Sequence, residues 1–228
     1  MTVPLITSSC TGLLQPGRLI TARPILIRSV RMKKIVVGIT GASGVIYGVR
    51  MLEVLSQLGA ETHLVISPSA IKNLDIETRY SIVDLNKMAS RSYDFKDVSE
   101  SIASGSFHVD GMIVAPCSIK TLSAIANSYN ENLLVRAADV TLKERRRLLL
   151  IVRETPLHEG HLELMMRVTR MGGVIMPPVP AFYHIPKTVD DIINQTVGKA
   201  LDLFAIDAKL FNRWEKKTPV KAVSSRKK

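Results

Sequence analysis

Two residues of opposite charge, Arg153 and Glu154, stand directly behind the apolar run Leu148–Val152. Charge at the end of a buried segment is costly unless it is solvated, paired or used. The stretch Arg153-Glu154-Thr155-Pro156 is therefore the local feature that points most strongly to chemistry. Gly41-Ala42-Ser43-Gly44 follows the apolar run Lys33–Thr40 and leads straight into a helical pattern. Small residues let a backbone approach a ligand, and a helix start offers unpaired N–H groups to an anion. The glycines at 38, 41 and 44 match neither the dinucleotide fingerprint nor the Walker loop, and a plain tight turn would have the same composition. Ser67-Pro68 fits a ligand contact or a helix N-cap. Pro116-Cys117-Ser118-Ile119-Lys120-Thr121 puts hydroxyls at 118 and 121 around another helix start, which suits a phosphate. Cys117 has no base visibly paired with it and reads as a buried structural thiol.

Two other constellations carry less. His158 and His161 are three residues apart, not the four of a metalloprotease helix, and read as surface histidines near a helix start. The run Lys143-Glu144-Arg145-Arg146-Arg147 reads mostly as a solvated face.

The elements that must position these residues follow from periodicity. Lys33–Thr40, Glu61–Ser67, Gly111–Pro116, Leu148–Val152 and Gly173–Met176 read as five short strands. Helical spacing covers Val45–Leu58, which ends at Gly59 as a C-cap, a stretch from about Pro68, Thr121–Asn127, His161–Met171 and Thr188–Phe204. Thr188 suits an N-cap, with Asp190 and Asp191 in the first turn where the helix dipole favours acids. Residues 75–108 are mixed and only weakly helical. Strands alternating with helices predict an α/β fold in one domain with a mostly parallel sheet, and in such sheets ligands sit beyond the carboxyl ends of the strands.

The bulk numbers agree. The chain has 228 residues, is 46% hydrophobic and carries a net charge of +11. Residues 1–31 hold four arginines and no acid, and residues 213–228 hold seven basic residues and one Glu. The remainder is nearly neutral, so the charge argues for basic termini and against nucleic-acid binding. The two cysteines suggest an intracellular protein, and no apolar run approaches the ~20 residues of a membrane span. Residues 1–31 have the composition of a transit peptide or of an upstream extension before Met32. The expected organisation is an extension over 1–31, one domain over 32–212 and a basic tail over 213–228. The expected location is cytoplasmic, with a mitochondrial one as the alternative.

Taken together, GITGASGVIYG (38–48), ETHLVIS (61–67), DIET (75–78), ASGSF (103–107), APCSIKTLS (115–123), RAADVTLKERR (136–146), RETPLHEGHLELM (153–165) and PPVPAFYHIPK (177–187) resemble the UbiX/PAD family of flavin prenyltransferases. The order and spacing of these segments, from about Lys33 to Trp214, carry the resemblance. It implies a Rossmann-like or flavodoxin-like flavoprotein, assembled as a homododecamer with its site at subunit interfaces. It implies transfer of a dimethylallyl group from dimethylallyl phosphate to reduced FMN, at N5 and C6. The prenylated FMN would serve a UbiD-type decarboxylase, and no metal would take part.

The same resemblance assigns residues. Gly41, Ala42, Ser43, Ser67, Ser118, Ile119, Lys120, Thr121 and Arg153 are expected to contact FMN. Tyr183, position 199 and Trp214 are expected at the donor, and Glu77, Arg136, Lys143 and Glu154 as further active-site residues. Position 199, usually arginine in the family, is Lys199, which keeps the charge and loses the bidentate fork. The competing readings are a flavin-dependent cysteine decarboxylase and a direct decarboxylase of aromatic acids. The catalytic histidine of the former is not evident.

Overall fold

The computed structural model describes residues 32–214, so the extension and most of the basic tail lie outside the described residues. Six parallel strands form one sheet: β1 (Lys34–Ile39), β2 (Glu61–Ile66), β3 (Arg91–Tyr93), β4 (Gly111–Cys117), β5 (Arg147–Val152) and β6 (Val174–Ile175), in the order β3-β2-β1-β4-β5-β6. Seven helices connect them: α1 (Ile46–Gln57), α2 (Pro68–Glu77), α3 (Ile82–Met88), α4 (Ile119–Ala126), α5 (Leu133–Lys143), α6 (Glu159–Arg170) and α7 (Val189–Asp202).

Alternation within each strand decides which helices cover which face. Ile35, Val37 and Ile39 of β1 join Leu64, Ile66, Ile113, Leu149 and Ile151 against α1 and α7. The residues between them, Val36, Val65, Met112, Val114, Leu148 and Leu150, pack under α4, α5 and α6. Both faces are apolar, as a parallel sheet covered on both sides requires, and each buried aliphatic side chain contributes about 1.5–3 kcal/mol. Gly48 is needed where α1 crosses β4, since a Cβ there would lie 2.3 Å from the Ala115 carbonyl oxygen.

The five strands and five helices read from the sequence are present, with ends shifted by up to two residues. Three of these elements, α3, α5 and β3, went unread. α5 starts at the N-cap Asn132, whose side chain accepts the Val135 N–H at 3.0 Å, and it buries Leu133, Leu134, Ala137, Ala138 and Thr141. β3 is a three-residue edge strand with only Tyr93 buried, too short to show a period. Residues 75–108 also hold α3, opened by a capping box between Ser81 and Asp84, and a 3₁₀ turn over Ser101–Ala103. Among the described residues no helix is long and apolar enough to cross a membrane.

Strand order reverses between β1 and β4: from β1 the chain builds outward through β2 to β3, then returns to the other side of β1 at β4. This is the switch point at which open α/β sheets leave a crevice beyond their carboxyl ends.

Candidate active site

A cavity of about 310 Å³ opens at that crevice, lined by Gly41 after β1, Ser67 after β2 and Ser118 after β4. Three helix starts converge on it. Ser67 caps α2 by accepting the Ala70 N–H at 3.2 Å, and Ser118 caps α4 by accepting the Thr121 N–H at 3.3 Å. Asn132, the cap of α5, lines the same wall. Each helix start presents partial positive charge and N–H donors, so together they make a site for an anion. Gly41 keeps the turn open, because a Cβ there would lie 2.4 Å from Cβ of Ser69.

Buried Thr40 ties the mouth together. Its hydroxyl donates to the Pro116 carbonyl at 2.8 Å and accepts the Ser118 N–H at 2.8 Å. Lys120 and Glu131 both line the cavity and pair at 3.7 Å. Phe95 adds an aromatic edge, and its carbonyl accepts the Leu133 N–H at 3.0 Å, fastening its loop to α5.

Of the sequence-predicted residues, Gly41, Ser67, Ser118, Lys120 and Thr121 line the cavity. Ala42 is buried beside Gly41, Ser43 is exposed, and Ile119 opens α4. Glu77 reaches the same rim from the end of α2, where its Oε2 accepts the N–H groups of Gly44 at 2.7 Å and Val45 at 3.2 Å. An internal carboxylate thus occupies the donors at the start of α1, whereas α2, α4 and α5 keep, among the described residues, the N–H groups of Ser69, Ile119, Lys120 and Leu134 beyond those their caps and the Phe95 carbonyl take. Cys117 is buried, and burial pushes its thiol well above the ordinary range, consistent with a structural thiol. His158 spends Nδ1 on the Gly160 N–H at 3.1 Å, as the N-cap of α6.

The remaining candidates do not line the cavity in this protomer. Arg153 and Glu154 follow β5, and Glu154 Oε1 accepts the Thr155 N–H at 3.1 Å. Burial raises the Tyr47 phenol above its usual range, while a bond to Thr196 and the nearby Arg153 charge oppose this. Arg136 donates through Nε to the Ala103 carbonyl at 3.3 Å and pairs with Asp139 at 3.1 Å. Lys143 pairs with Glu144 at the far end of α5, about 16 Å of helix rise beyond Asn132. Tyr183 and Trp214 meet edge to face with ring centres 5.8 Å apart, both exposed, and Lys199 is exposed on α7. One protomer therefore brings only part of the predicted set to the lining of its own cavity.

Sequence reasoning did not find Thr40, Phe95, Glu131 or Asn132. An asparagine before an apolar helical run is an N-cap signal, so Asn132 was legible; Thr40, Phe95 and Glu131 depend on contacts far apart in the chain.

A family model described as Flavoprotein matches residues 26–201. The chain is 62% identical over 181 residues to the flavin prenyltransferase UbiX of Thauera aromatica, spanning 79% of this chain and 93% of that protein. Among solved structures it is similar to AnUbiX (PadA1) in complex with FMN and dimethylallyl pyrophosphate, with a TM-score of 0.80, 48% identity and coverage of 82% of this chain and 99% of that one. It is also similar to a dodecameric FMN-dependent UbiX-like decarboxylase from Escherichia coli O157:H7, with a TM-score of 0.79, 46% identity and coverage of 80% and 100%.

Proposed function

This chain belongs to the UbiX/PAD family of flavin prenyltransferases, and from that premise we propose that it joins the dimethylallyl group of dimethylallyl phosphate to reduced FMN, giving prenylated FMN for a UbiD-type decarboxylase. The observation that carries the reading is the convergence of the α2, α4 and α5 starts on one cavity at the switch point. Their donors, with the Ser67, Ser118 and Thr121 hydroxyls, suit a flavin phosphate, and the missing side chain at Gly41 leaves room for it. Ala42, Ser43, Ile119, Lys120 and Arg153 extend that contact surface.

Reduced FMN supplies the nucleophilic N5 and C6. The chain must stabilise a departing phosphate, shelter an allylic carbon and accept a proton. Arg136, Lys143, Arg153 and Lys199 provide cationic charge for the phosphate electrostatically, without a metal. Tyr183 and Trp214 provide aromatic faces that favour positive charge by ~0.5–2 kcal/mol. Glu154 takes up the proton released at C6 through its carboxylate, and a proton added to the donor's double bond as C6 bonds to it balances that release. Glu77 holds the start of α1 and thereby the Gly41–Gly44 turn.

Lys143 lies far along α5 from the cavity of its own protomer, which favours a site completed by neighbouring subunits in a homododecamer. The enzyme domain is residues 32–212, between the extension and the basic tail. The location is cytoplasmic, or mitochondrial if residues 1–31 act as a leader.

Anaerobic incubation of the protein with reduced FMN and dimethylallyl phosphate, followed by mass analysis of the flavin, tests the reaction. The expected result is a flavin heavier by one dimethylallyl unit, formed equally with a strong chelator present. Unmodified flavin would refute the transfer, and loss of the product with chelator would refute the metal-free reading.

A further inference from the structure

A second concave surface lies away from the flavin cavity. A cleft of about 690 Å³ lies at the opposite, amino edge of the sheet, where Lys33 precedes β1, Asp110 precedes β4, and Arg147 opens β5. Six-residue strands separate the two edges by about 20 Å, so this cleft is distinct from the Gly41, Ser67 and Ser118 cavity of the same protomer. Its wall holds Lys33, Arg145, Arg146 and Arg147 against one acid, Asp110. Its lining also includes the apolar side chains of Val109, Val174 and Phe204.

The charges are not all spent. Lys33 pairs with Asp110 at 3.8 Å, and Asp110 also accepts the Lys34 N–H at 2.8 Å. Arg146 gives its two terminal nitrogens to the carbonyls of Phe107 at 2.8 Å and Gly105 at 2.7 Å. Arg145 and Arg147 have no side-chain acceptor among the described residues, though both border the cleft. Arg145 also stands in the left-handed region, at φ 57, in the turn that ends α5. Its N–H donates to Leu142 at 3.0 Å and that of Arg146 to Thr141 at 2.9 Å. Glycine fills that position of a helix end without steric cost. Arg145 thus takes a position open to glycine while its charge, among the described residues, stays unpaired at the edge of the cleft.

We infer that this cleft binds a small phosphorylated organic anion, with its phosphate between Arg145 and Arg147 and its apolar body over Phe204. Guanidinium groups match phosphate oxygens bidentately, and the volume lies within the range of small-molecule sites. The inference does not rest on the proposed prenyl transfer, although Lys143 of that proposal stands two residues before Arg145.

Calorimetric titration of ADP into the full chain, with FMN at saturation to fill the flavin cavity, tests this. Arg145→Gly suits the backbone at that position and removes the guanidinium without added strain, and Arg147→Gln keeps a polar side chain. Binding of one ADP per chain is expected, weakened about tenfold or more by either substitution, with FMN affinity unchanged. Inorganic pyrophosphate, which lacks an apolar body, is expected to bind more weakly than ADP. Absence of ADP binding, or an ADP affinity that both variants leave unaltered, would overturn the site. Equal affinity for pyrophosphate would overturn the role of the apolar lining. FMN affinity measured on the same samples reports separately on the flavin reading.

Discussion

Thr40 is the residue on which the geometry of the mouth most depends. Its hydroxyl bridges the Pro116 carbonyl and the Ser118 N–H, and it is 1% exposed. Thr40→Val keeps the shape and leaves the Ser118 N–H without its partner, while the Pro116 carbonyl keeps the Thr40 N–H at 3.2 Å; the unpaired donor costs about 1–3 kcal/mol. Chemical denaturation should register that loss, and FMN titration should show weaker binding because the start of α4 is no longer held to β1. Unchanged FMN affinity in a destabilised variant would confine Thr40 to a structural role. Glu154 makes the opposite kind of prediction. Among the described residues its one hydrogen bond is from the adjacent Thr155 N–H, so Glu154→Gln should leave folding and FMN binding intact. Adduct formation should slow by about 10²-fold or more, in the range of general acid–base groups. Near-normal turnover in single-turnover assays would assign the proton elsewhere.

At the scale of elements, α1 and the outer strand β3 carry the sharpest expectations. Replacing Gly48 by alanine improves the intrinsic helix preference of α1, yet the new Cβ would meet the Ala115 carbonyl at 2.3 Å and Ile39 at 2.8 Å. Overpacking should win and destabilise the protein by about 1–3 kcal/mol, visible as a lower urea midpoint. The β2–β3 edge is joined by His63, whose Nδ1 lies 2.7 Å from the Tyr93 hydroxyl and Nε2 3.0 Å from Glu61. The Glu61 carboxylate only accepts, so Nε2–H donates to it and Tyr93 donates to Nδ1, the arrangement of a neutral ring. Burial holds the imidazole below its ordinary pKa; Glu61 opposes this, and the Lys34 and Arg91 charges add to it. The unfolded chain then binds the proton first, so stability is full above about pH 6.5 and declines as pH falls below it. His63→Gln should flatten that decline in denaturation midpoints measured between about pH 7.5 and 5.5. An equal slope in the variant would assign the acid sensitivity to other groups.

For the whole molecule, the separation between the flavin cavity and Lys143 is the feature with consequences. Lys143 pairs with Glu144 at the end of α5, whose start borders the cavity, and a rigid helix cannot fold back on itself. A site that uses both regions takes them from different copies of the chain. Lys143→Ala and Glu154→Gln oligomers should each be inactive. Co-expressed mixed oligomers should regain about a quarter of the sites, because symmetric assembly pairs intact regions from two subunits by chance. No recovery in mixed oligomers of confirmed composition would place both residues in one subunit's site.

The sequence alone determined the α/β class, since alternating short apolar runs and helical periods admit few other arrangements, and Leu148–Val152 or Thr188–Phe204 are legible without a neighbour. It also determined the residues after each strand as the place for chemistry, and the cavity lies there, at Gly41, Ser67 and Ser118. Local order is written in local pattern, so caps such as Ser67 and Thr188 were readable too. Only the tertiary structure decided what depends on residues distant in the chain. It placed the three-residue β3 at the sheet edge, where pairing with β2 supplies the order that its own length cannot. It turned Thr40 into a clamp across 78 residues to Ser118 and brought Glu131 and Phe95 to the cavity wall. It engaged Glu77 with the start of α1 and held Arg136 and Lys143 along α5, outside the cavity. Packing, not periodicity, sets those distances, because a side chain's type states what it can bond and the fold alone states what stands within reach.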